Sequence, residues 1–171
     1  TLFYAVDLYS NDLSQNEAIN LYGNINTWQF DFAANGGDLT NFSRLFDRSI
    51  INRPTDVSGF NGDITTWNVS DVSNMRFMFY NTEAFNQDIS GWNVINVKNM
   101  QYMFSNAEAF NQNIGSWNVS NVTDMQYMFY DNVFNQDISG WNVINVKNMR
   151  LMFFQHETFN QNIGSWNVSN V

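Results

Sequence analysis

Apolar residues recur at fixed places along most of this chain, in a unit of about 25 residues, as repeat proteins show. Each unit opens with a Phe and an Ile four residues apart, such as Phe85 and Ile89. This spacing places both side chains on one face of an extended strand. Trp92 follows a Ser-Gly turn, so we predict that it fills the core at a corner of the unit.

A second apolar pattern ends each unit. Val97, Met100, Met103 and Phe104 form the stripe expected on one face of a short helix. Asn96 stands just before this stripe and suits a helix N-cap, because its side chain can accept a bond from an unpaired backbone N–H. The methionines are predicted to fill the core rather than to bind a soft metal. Each unit is therefore predicted to run strand, corner, short helix and return, and it needs neighbouring units to cover its apolar face.

The repeats divide the chain into two parts. The string FNQDISGWNVINVKNM occurs unchanged at 85–100 and 134–149, inside a regular array that covers 60–171. The units of the array are 60–84, 85–109, 110–133, 134–158 and the partial unit 159–171. Residues 1–59 are predicted to form an N-terminal cap with one degenerate repeat at 21–46. We expect the C-terminal end to be continued by more repeats or covered by a partner, since an open array end exposes apolar surface.

The unit F-N-Q-D-I-S-x-W-N-V-x-N-V-x-N-M-x-x-M-F resembles the BspA-like surface-protein family of leucine-rich repeats. The resemblance covers roughly residues 21–171 and is close in 60–171. It implies an α/β fold, a leucine-rich-repeat-like solenoid of tandem strand–corner–short-helix units with a degenerate N-terminal cap. It also implies a long cell-surface or secreted array that serves adhesion and protein contact.

Strand alternation sends a set of small polar residues to the face opposite Phe and Ile. Stacked strands would align these residues in columns, which serve either recognition or only the solubility of the sheet. The candidate recognition face comprises Asn61, Asp63, Asn86, Asp88, Asn111, Asn113, Asn135, Asp137, Asn160 and Asn162. By the same alternation Gln87 falls on the apolar side. It either bonds to other glutamines in a buried ladder or is rotated outward by a bulge.

Composition narrows the classes of function. Hydrophobic residues make up 44% of the chain and aromatic residues 17%, which argues against a disordered chain. Only 13% of residues are charged, the net charge is −9 and the sequence shows no basic patch, so neither nucleic acid nor an anionic membrane is expected as a partner. Direct membrane insertion is not expected either, because no segment has the ~18 apolar residues of a span. Cysteine is absent, which excludes disulfides and thiolate metal sites.

The sequence predicts no catalytic residue, no metal site and no cofactor. Asp88 and Asp137 recur at a regular spacing, but no D-x-D-x-D-G loop accompanies them, so a solvated ladder is favoured over a calcium site. His156 is the single histidine and has no Cys or Ser partner in a repeated context. The N-x-S/T sequons are interpreted as a consequence of the repeated sequence rather than as glycan sites. They start at Asn41, Asn68, Asn118, Asn121 and Asn167.

These observations favour a non-catalytic repeat scaffold that mediates protein–protein or protein–glycan contact. The first hypothesis is a cell-surface or extracellular adhesion module, in which a glycan partner would use the tyrosines Tyr80, Tyr102 and Tyr127. The alternative is a permanent structural or docking subunit of a larger multiprotein assembly, for example in an organelle. An enzyme is the least expected class, because identical repeats dilute any unique constellation of residues.

Overall fold

The computed structural model describes residues 40–47 and 57–171. Within these residues there is no helix and no continuous strand, only single bridged residues that pair in parallel from one unit to the next. These bridges join Asn41 to Asn74, Asn74 to Asn99, Asn99 to Asp124, and Asp124 to Asn148. The α/β solenoid of strand–corner–helix units is therefore wrong for the described part of the chain, and so is the predicted N-cap role of Asn96.

β-Turns take the place of the predicted elements. In 85–109 the N–H of Trp92 donates to the carbonyl of Ile89, that of Val97 to Val94, and that of Met103 to Met100. The first and fourth residues of each of these turns are buried. A β-turn brings its first and fourth Cα atoms within about 7 Å of each other, so both side chains can reach the same core. The three-residue spacing of apolar residues thus comes from successive turns and not from a helix.

The segment predicted to be helical is bonded to its neighbour in the array. Met100 N–H donates to the Asp124 carbonyl at 3.0 Å, Tyr102 N–H to Gln126 at 2.9 Å, and Phe104 N–H to Met128 at 3.0 Å. The intervening amides close turns within the unit instead. In a helix all of these N–H groups would bond four residues back along the same chain. Alternate amides therefore hold the unit together and hold it to the next one.

Left-handed backbone recurs at two places in each of the four full units of the array. Tyr102 has a φ of 57° and Asn106 a φ of 55°, and each is the third residue of a turn, as a type II turn requires. The same region is occupied by Arg44, Phe77, Asn81, Tyr127, Asp131, Leu151 and Gln155. Left-handed backbone costs a side chain such as Tyr or Leu about 1–2 kcal/mol. Packing between the units has to offset this strain.

Aromatic ladders run through the core of the stack. Phe79, Phe104 and Phe129 stack at centroid distances of 5.6 and 5.9 Å, and the Phe85–Phe110 pair stacks at 5.9 Å. All five rings are fully buried. The burial of Phe and Ile, the core-filling methionines and the core position of Trp are thereby confirmed. The buried tryptophans are Trp67, Trp92, Trp117 and Trp141, each 3–4% exposed.

Each of these tryptophans after the first also bonds to the previous unit. Trp117 Nε1 donates to the buried carbonyl of Ile89 at 3.1 Å, and Trp92 and Trp141 make the equivalent bonds. The Ile89 carbonyl also accepts the Trp92 N–H that closes its turn, so the indole is its second donor. The indole therefore contributes core volume and one hydrogen bond between units, worth about 0.5–1.5 kcal/mol.

The unit 110–133 is one residue shorter than its neighbours, and Asn132 compensates for the missing residue. In the preceding unit the Phe110 N–H donates to the carbonyl of Ala107. In the short unit the Phe134 N–H donates to Asn132 Oδ1 at 2.7 Å. Asn132 Nδ2 donates to the carbonyls of Phe104 and Ala107, both at 2.8 Å. One buried amide thus replaces a backbone turn and keeps the units in register.

The array continues on the N-terminal side of residue 60. Phe42 N–H donates to the Asn74 carbonyl and Arg44 N–H to the Arg76 carbonyl, in the register obtained by aligning 38–46 with 71–79. Thr82 Oγ1 adds a bond to the Phe46 carbonyl at 2.9 Å. The rest of the predicted cap, 1–39 and 48–56, lies outside the described residues.

Candidate functional site

An asparagine ladder forms one column of the candidate recognition face. Asn86 Oδ1 accepts the Asn111 N–H and Gln112 Nε2, both at 3.0 Å. The corresponding bonds link Asn61 to Asn86, Asn111 to Asn135, and Asn135 to Asn160. The side-chain oxygen of each ladder asparagine before Asn160 thus holds the next unit in place.

Gln87 and its equivalents in the other units bond to this ladder and not to one another. Gln87 Nε2 donates to the carbonyl and to Oδ1 of Asn61, at 2.8 and 3.1 Å, and Gln161 does the same with Asn135. Both glutamines are half-buried. Neither of the two arrangements considered from the sequence is the observed one.

Asx turns form the second column of the face. Asp88 Oδ1 accepts the Ser90 N–H at 3.0 Å, and Asn113 Oδ1 accepts the Gly115 N–H at 3.0 Å. Such a turn needs only a side-chain oxygen, which explains why Asp and Asn alternate here. The side-chain hydrogen bond from Ser90, followed by its backbone N–H, lowers the pKa of Asp88 below its ordinary value of 3.8. The Ser139 backbone and side chain lower the pKa of Asp137 in the same way, so both carboxylates are charged at neutral pH.

All ten predicted recognition residues therefore form two adjacent columns along the stack. Asn86 and Asn135 are half-buried and the other eight are exposed. Within the described residues, the ladder oxygens are engaged up to Asn135, whereas no protein acceptor takes the Nδ2 groups of Asn86, Asn111 and Asn135. A ligand at this face would therefore meet fixed amide N–H donors beside fixed carboxylates.

A flank with bases and aromatic rings was not found from the sequence. Lys98 and Lys147 occupy the same place in their units, both after the sequence Val-Ile-Asn-Val, and Arg76 and Arg150 share another place close by. These are the four bases of 60–171. A count of charges along the chain shows them as scattered, but their common register in the repeat unit would have revealed two columns. Together these four residues form the basic flank.

Stacked rings accompany the basic flank. Phe77, Tyr102 and Tyr127 lie face to face with successive centroid distances of 4.5 Å, and the guanidinium groups of Arg44 and Arg76 lie 4.4 and 4.7 Å from the Phe77 centroid. Burial raises the pKa of Tyr102. Because neighbouring rings cover the faces of Tyr102, a sugar cannot stack on that ring in the manner expected of a glycan site.

His156 and Asn121, which were also considered from the sequence, both make hydrogen bonds within the fold. His156 Nδ1 accepts the Phe159 N–H at 3.2 Å. Asn121 Nδ2 donates to the Ile95 carbonyl at 2.8 Å, so that sequon amide is engaged within the stack. Among the residues that the structure describes, no three acidic or histidine side chains converge on a metal position. The same residues contain no helix long and apolar enough to cross a membrane.

The fold and the surface columns define the class of this protein. It is a repeat protein whose stacked, turn-built units display the same side chains at fixed positions. The chain matches the DUF285 family model, described as "Mycoplasma protein of unknown function", over residues 11–133 and 131–171. It belongs to that family. No curated protein and no solved structure matches the chain.

Proposed function

We propose that this chain is a non-catalytic repeat scaffold that binds another protein through the face formed by the ladder and the Asx-turn column. The BspA-like resemblance supports a cell-surface or secreted adhesion module as the setting. A protein partner is favoured over a glycan, because the stacked tyrosines present their edges and hydroxyl groups rather than open ring faces.

The observation that carries this proposal is the fixation of the exposed polar groups. Asn111 is held by the Asn135 N–H at 2.8 Å, and Asp137 is held by the Ser139 N–H at 2.9 Å. Side chains ordered before binding lose little rotamer entropy when a partner arrives, whereas an ordinary surface side chain loses about 0.5–1.5 kcal/mol. The periodic face is therefore prepared for repeated polar contacts with a partner.

The test changes the donors of the face without removing the ladder bonds. Asn111→Asp with Asn135→Asp keeps the oxygens that accept the next unit and replaces the outward Nδ2 donors with carboxylate oxygens. Asn118→Asp with Asn142→Asp is the matched control, because these exposed residues also hold Asx turns but lie outside the face. Biolayer interferometry against a panel of purified extracellular-matrix and serum proteins, with a glycan array in parallel, measures binding.

We expect saturable binding to a protein of the panel, weakened roughly tenfold or more by the Asn111/Asn135 pair and little changed by the control. A mismatched charge inside an interface is costly, whereas one outside it mainly alters the association rate. Equal loss with both pairs would place the contact elsewhere, and the absence of saturable binding would refute the binding function.

A further inference from the structure

The basic flank has no counter-charge within the described part of this acidic chain. Lys98, Lys147, Arg76 and Arg150 have no carboxylate within ion-pair distance there. Lys98 and Lys147 are exposed, as are both arginines. Asp124 lies between the columns but is half-buried and holds an Asx turn with the Gln126 N–H. Four outward cations thus concentrate on one side of a chain whose net charge is −9.

The acidic column follows the same order along the stack as the basic flank. The units 85–109 and 134–158 each carry a lysine on the flank and an aspartate, Asp88 or Asp137, on the face. The unit 60–84 carries Arg76 and Asp63. The unit between the two lysine units, 110–133, has neutral residues in all three columns, and these are Thr123, Gln126 and Asn113.

Two copies placed side by side would match all of these charged units only when they run in the same direction. If the copies run in the same direction and in register, each unit with a base lies beside a unit with an aspartate, and neutral lies beside neutral. In the reversed orientation centred on 110–133, the units 85–109 and 134–158 still face each other. The unit 60–84, with Arg76 and Asp63, would then face the partial unit 159–171, which carries neither a base nor an aspartate. Because all units repeat with the spacing of the same parallel ladder, about 4.8 Å, the match holds along the whole stack without distortion.

We propose that the basic flank of one copy docks on the Asp88–Asp137 column of a second copy, which lies parallel and in register beside it. The two surfaces differ, so the contact is heterologous and each copy keeps a free flank and a free column. Association then extends sideways and grows with concentration. Because exposed ion pairs are weak and screened by salt, the association is expected at low ionic strength and high local concentration.

Charge reversal tests the proposal by sedimentation-velocity measurements over a range of protein concentration and salt. Lys98→Glu with Lys147→Glu places like charges opposite Asp88 and Asp137, and Asp88→Lys with Asp137→Lys places like charges opposite Lys98 and Lys147. Each variant alone is expected to remain monomeric where the unchanged chain associates. An equimolar mixture of the two variants restores association, because the reversed charges of one variant then meet reversed charges of the opposite sign on the other.

A milder variant covers the case in which lysine at the Asx turn prevents folding. Asp88→Asn with Asp137→Asn keeps the turn oxygens, as Asn113 does in its own unit, and removes only the charge. It should weaken association roughly tenfold relative to the unchanged chain without changing the unfolding midpoint.

Monomers at every concentration in low salt, or association that survives lysine reversal, would overturn the proposal. A monomer that instead binds polyglutamate through Lys98 and Lys147 would overturn it too and would assign the basic flank to an acidic peptide. Self-association is measured without any other partner, so its failure leaves the proposed binding function standing and can be distinguished from the failure of that function.

Discussion

Proline at position 101 distinguishes a turn-built unit from the helix that the apolar spacing predicts. Gln101 is the second residue of the turn 100–103, a place where proline is favoured because its φ is fixed near about −65°. In a helix over 97–104 the same proline would remove a backbone bond and clash with the preceding turn. That would cost about 3 kcal/mol or more.

The expected loss of stability in Gln101→Pro follows from the hydrogen bonds that Gln101 makes. The Gln101 N–H donates to Asn99 Oδ1 at 2.9 Å, and the Gln101 side chain donates to Gln126 Oε1. Each of these hydrogen bonds contributes about 0.5–1.5 kcal/mol, and proline recovers about 0.4–1 kcal/mol by restricting the unfolded chain. The expected decrease in the free energy of unfolding is therefore about 1–2 kcal/mol.

Tyr102→Pro is the matched comparison at the next residue. Tyr102 has a φ of 57° and its N–H donates to the Gln126 carbonyl, and proline can satisfy neither condition. We expect this variant to lose more than about 3 kcal/mol. Urea denaturation followed by tryptophan fluorescence measures both variants. Equal losses, or a loss of about 3 kcal/mol for Gln101→Pro, would refute the turn-built unit.

Substitutions at Trp117 and Asn132 test the core and the compensation for the short unit. Trp117→Ala should cost about 3–5 kcal/mol because the indole is buried. Trp117→Phe should cost less, about 0.5–1.5 kcal/mol for the lost bond to the Ile89 carbonyl, which keeps the Trp92 N–H as a donor. Asn132→Ala removes three buried hydrogen bonds and should cost about 3 kcal/mol, whereas Asn118→Ala, at an exposed Asx turn, should cost less than about 1 kcal/mol. Urea melts check both substitutions, and a loss below about 1 kcal/mol for Trp117→Ala or Asn132→Ala would contradict the burial of that side chain.

The buried positions could be predicted because burial depends on the period and on little else. Phe85, Ile89 and Trp92 are buried in the turn-built unit as they would be in a strand and corner. Any stack of units that repeats the same sequence covers the same apolar side chains. The periodicity therefore identified the core without identifying the backbone that carries it.

The helix could not be excluded by the same reasoning, because a β-turn and a helix both bring side chains three residues apart onto the same side of the chain. Met100 and Met103 lie at the two ends of a β-turn, and Phe104 begins the turn that ends at Ala107. The decisive features are left-handed backbone at Tyr102 and bonds to the next unit, and neither leaves a sign in the apolar pattern. Tyrosine in particular does not indicate a left-handed conformation, which Gly or Asn would.

The candidate face shows a different limit of sequence reasoning. The exposure of Asn111 and Asp88 follows from their polarity, but their hydrogen bonds depend on which backbone N–H lies nearby. Asparagine is abundant because each unit has three Asx turns and a ladder bond, such as those of Asp88, Asn93, Asn99 and Asn86. An amide-rich surface is therefore mainly the means by which this backbone satisfies its polar groups.

His156 makes the turn at Phe159 sensitive to pH. Its Nδ1 accepts the Phe159 N–H at 3.2 Å, whereas its Nε2 is buried and has no hydrogen-bond partner within the described residues. Burial lowers the pKa of His156 below its ordinary value of 6.5. The fold thus favours neutral imidazole, and the unfolded chain binds the proton more readily. The stability that this group contributes is present above 6.5 and is lost as the pH falls through the lower pKa of the folded chain.

Protonation would also place a second donor against the Phe159 N–H, so the effect should appear first at that turn. From about pH 7.5 to about pH 5, the Phe159 amide should lose protection against hydrogen exchange, after correction for the intrinsic rate. The Phe110 amide, which donates to the Ala107 carbonyl, is the internal control and should keep its protection. His156→Gln should remove the pH step. A parallel loss at Phe110, or the same step in the variant, would show that the acid sensitivity arises from carboxylates elsewhere in the stack and not from His156.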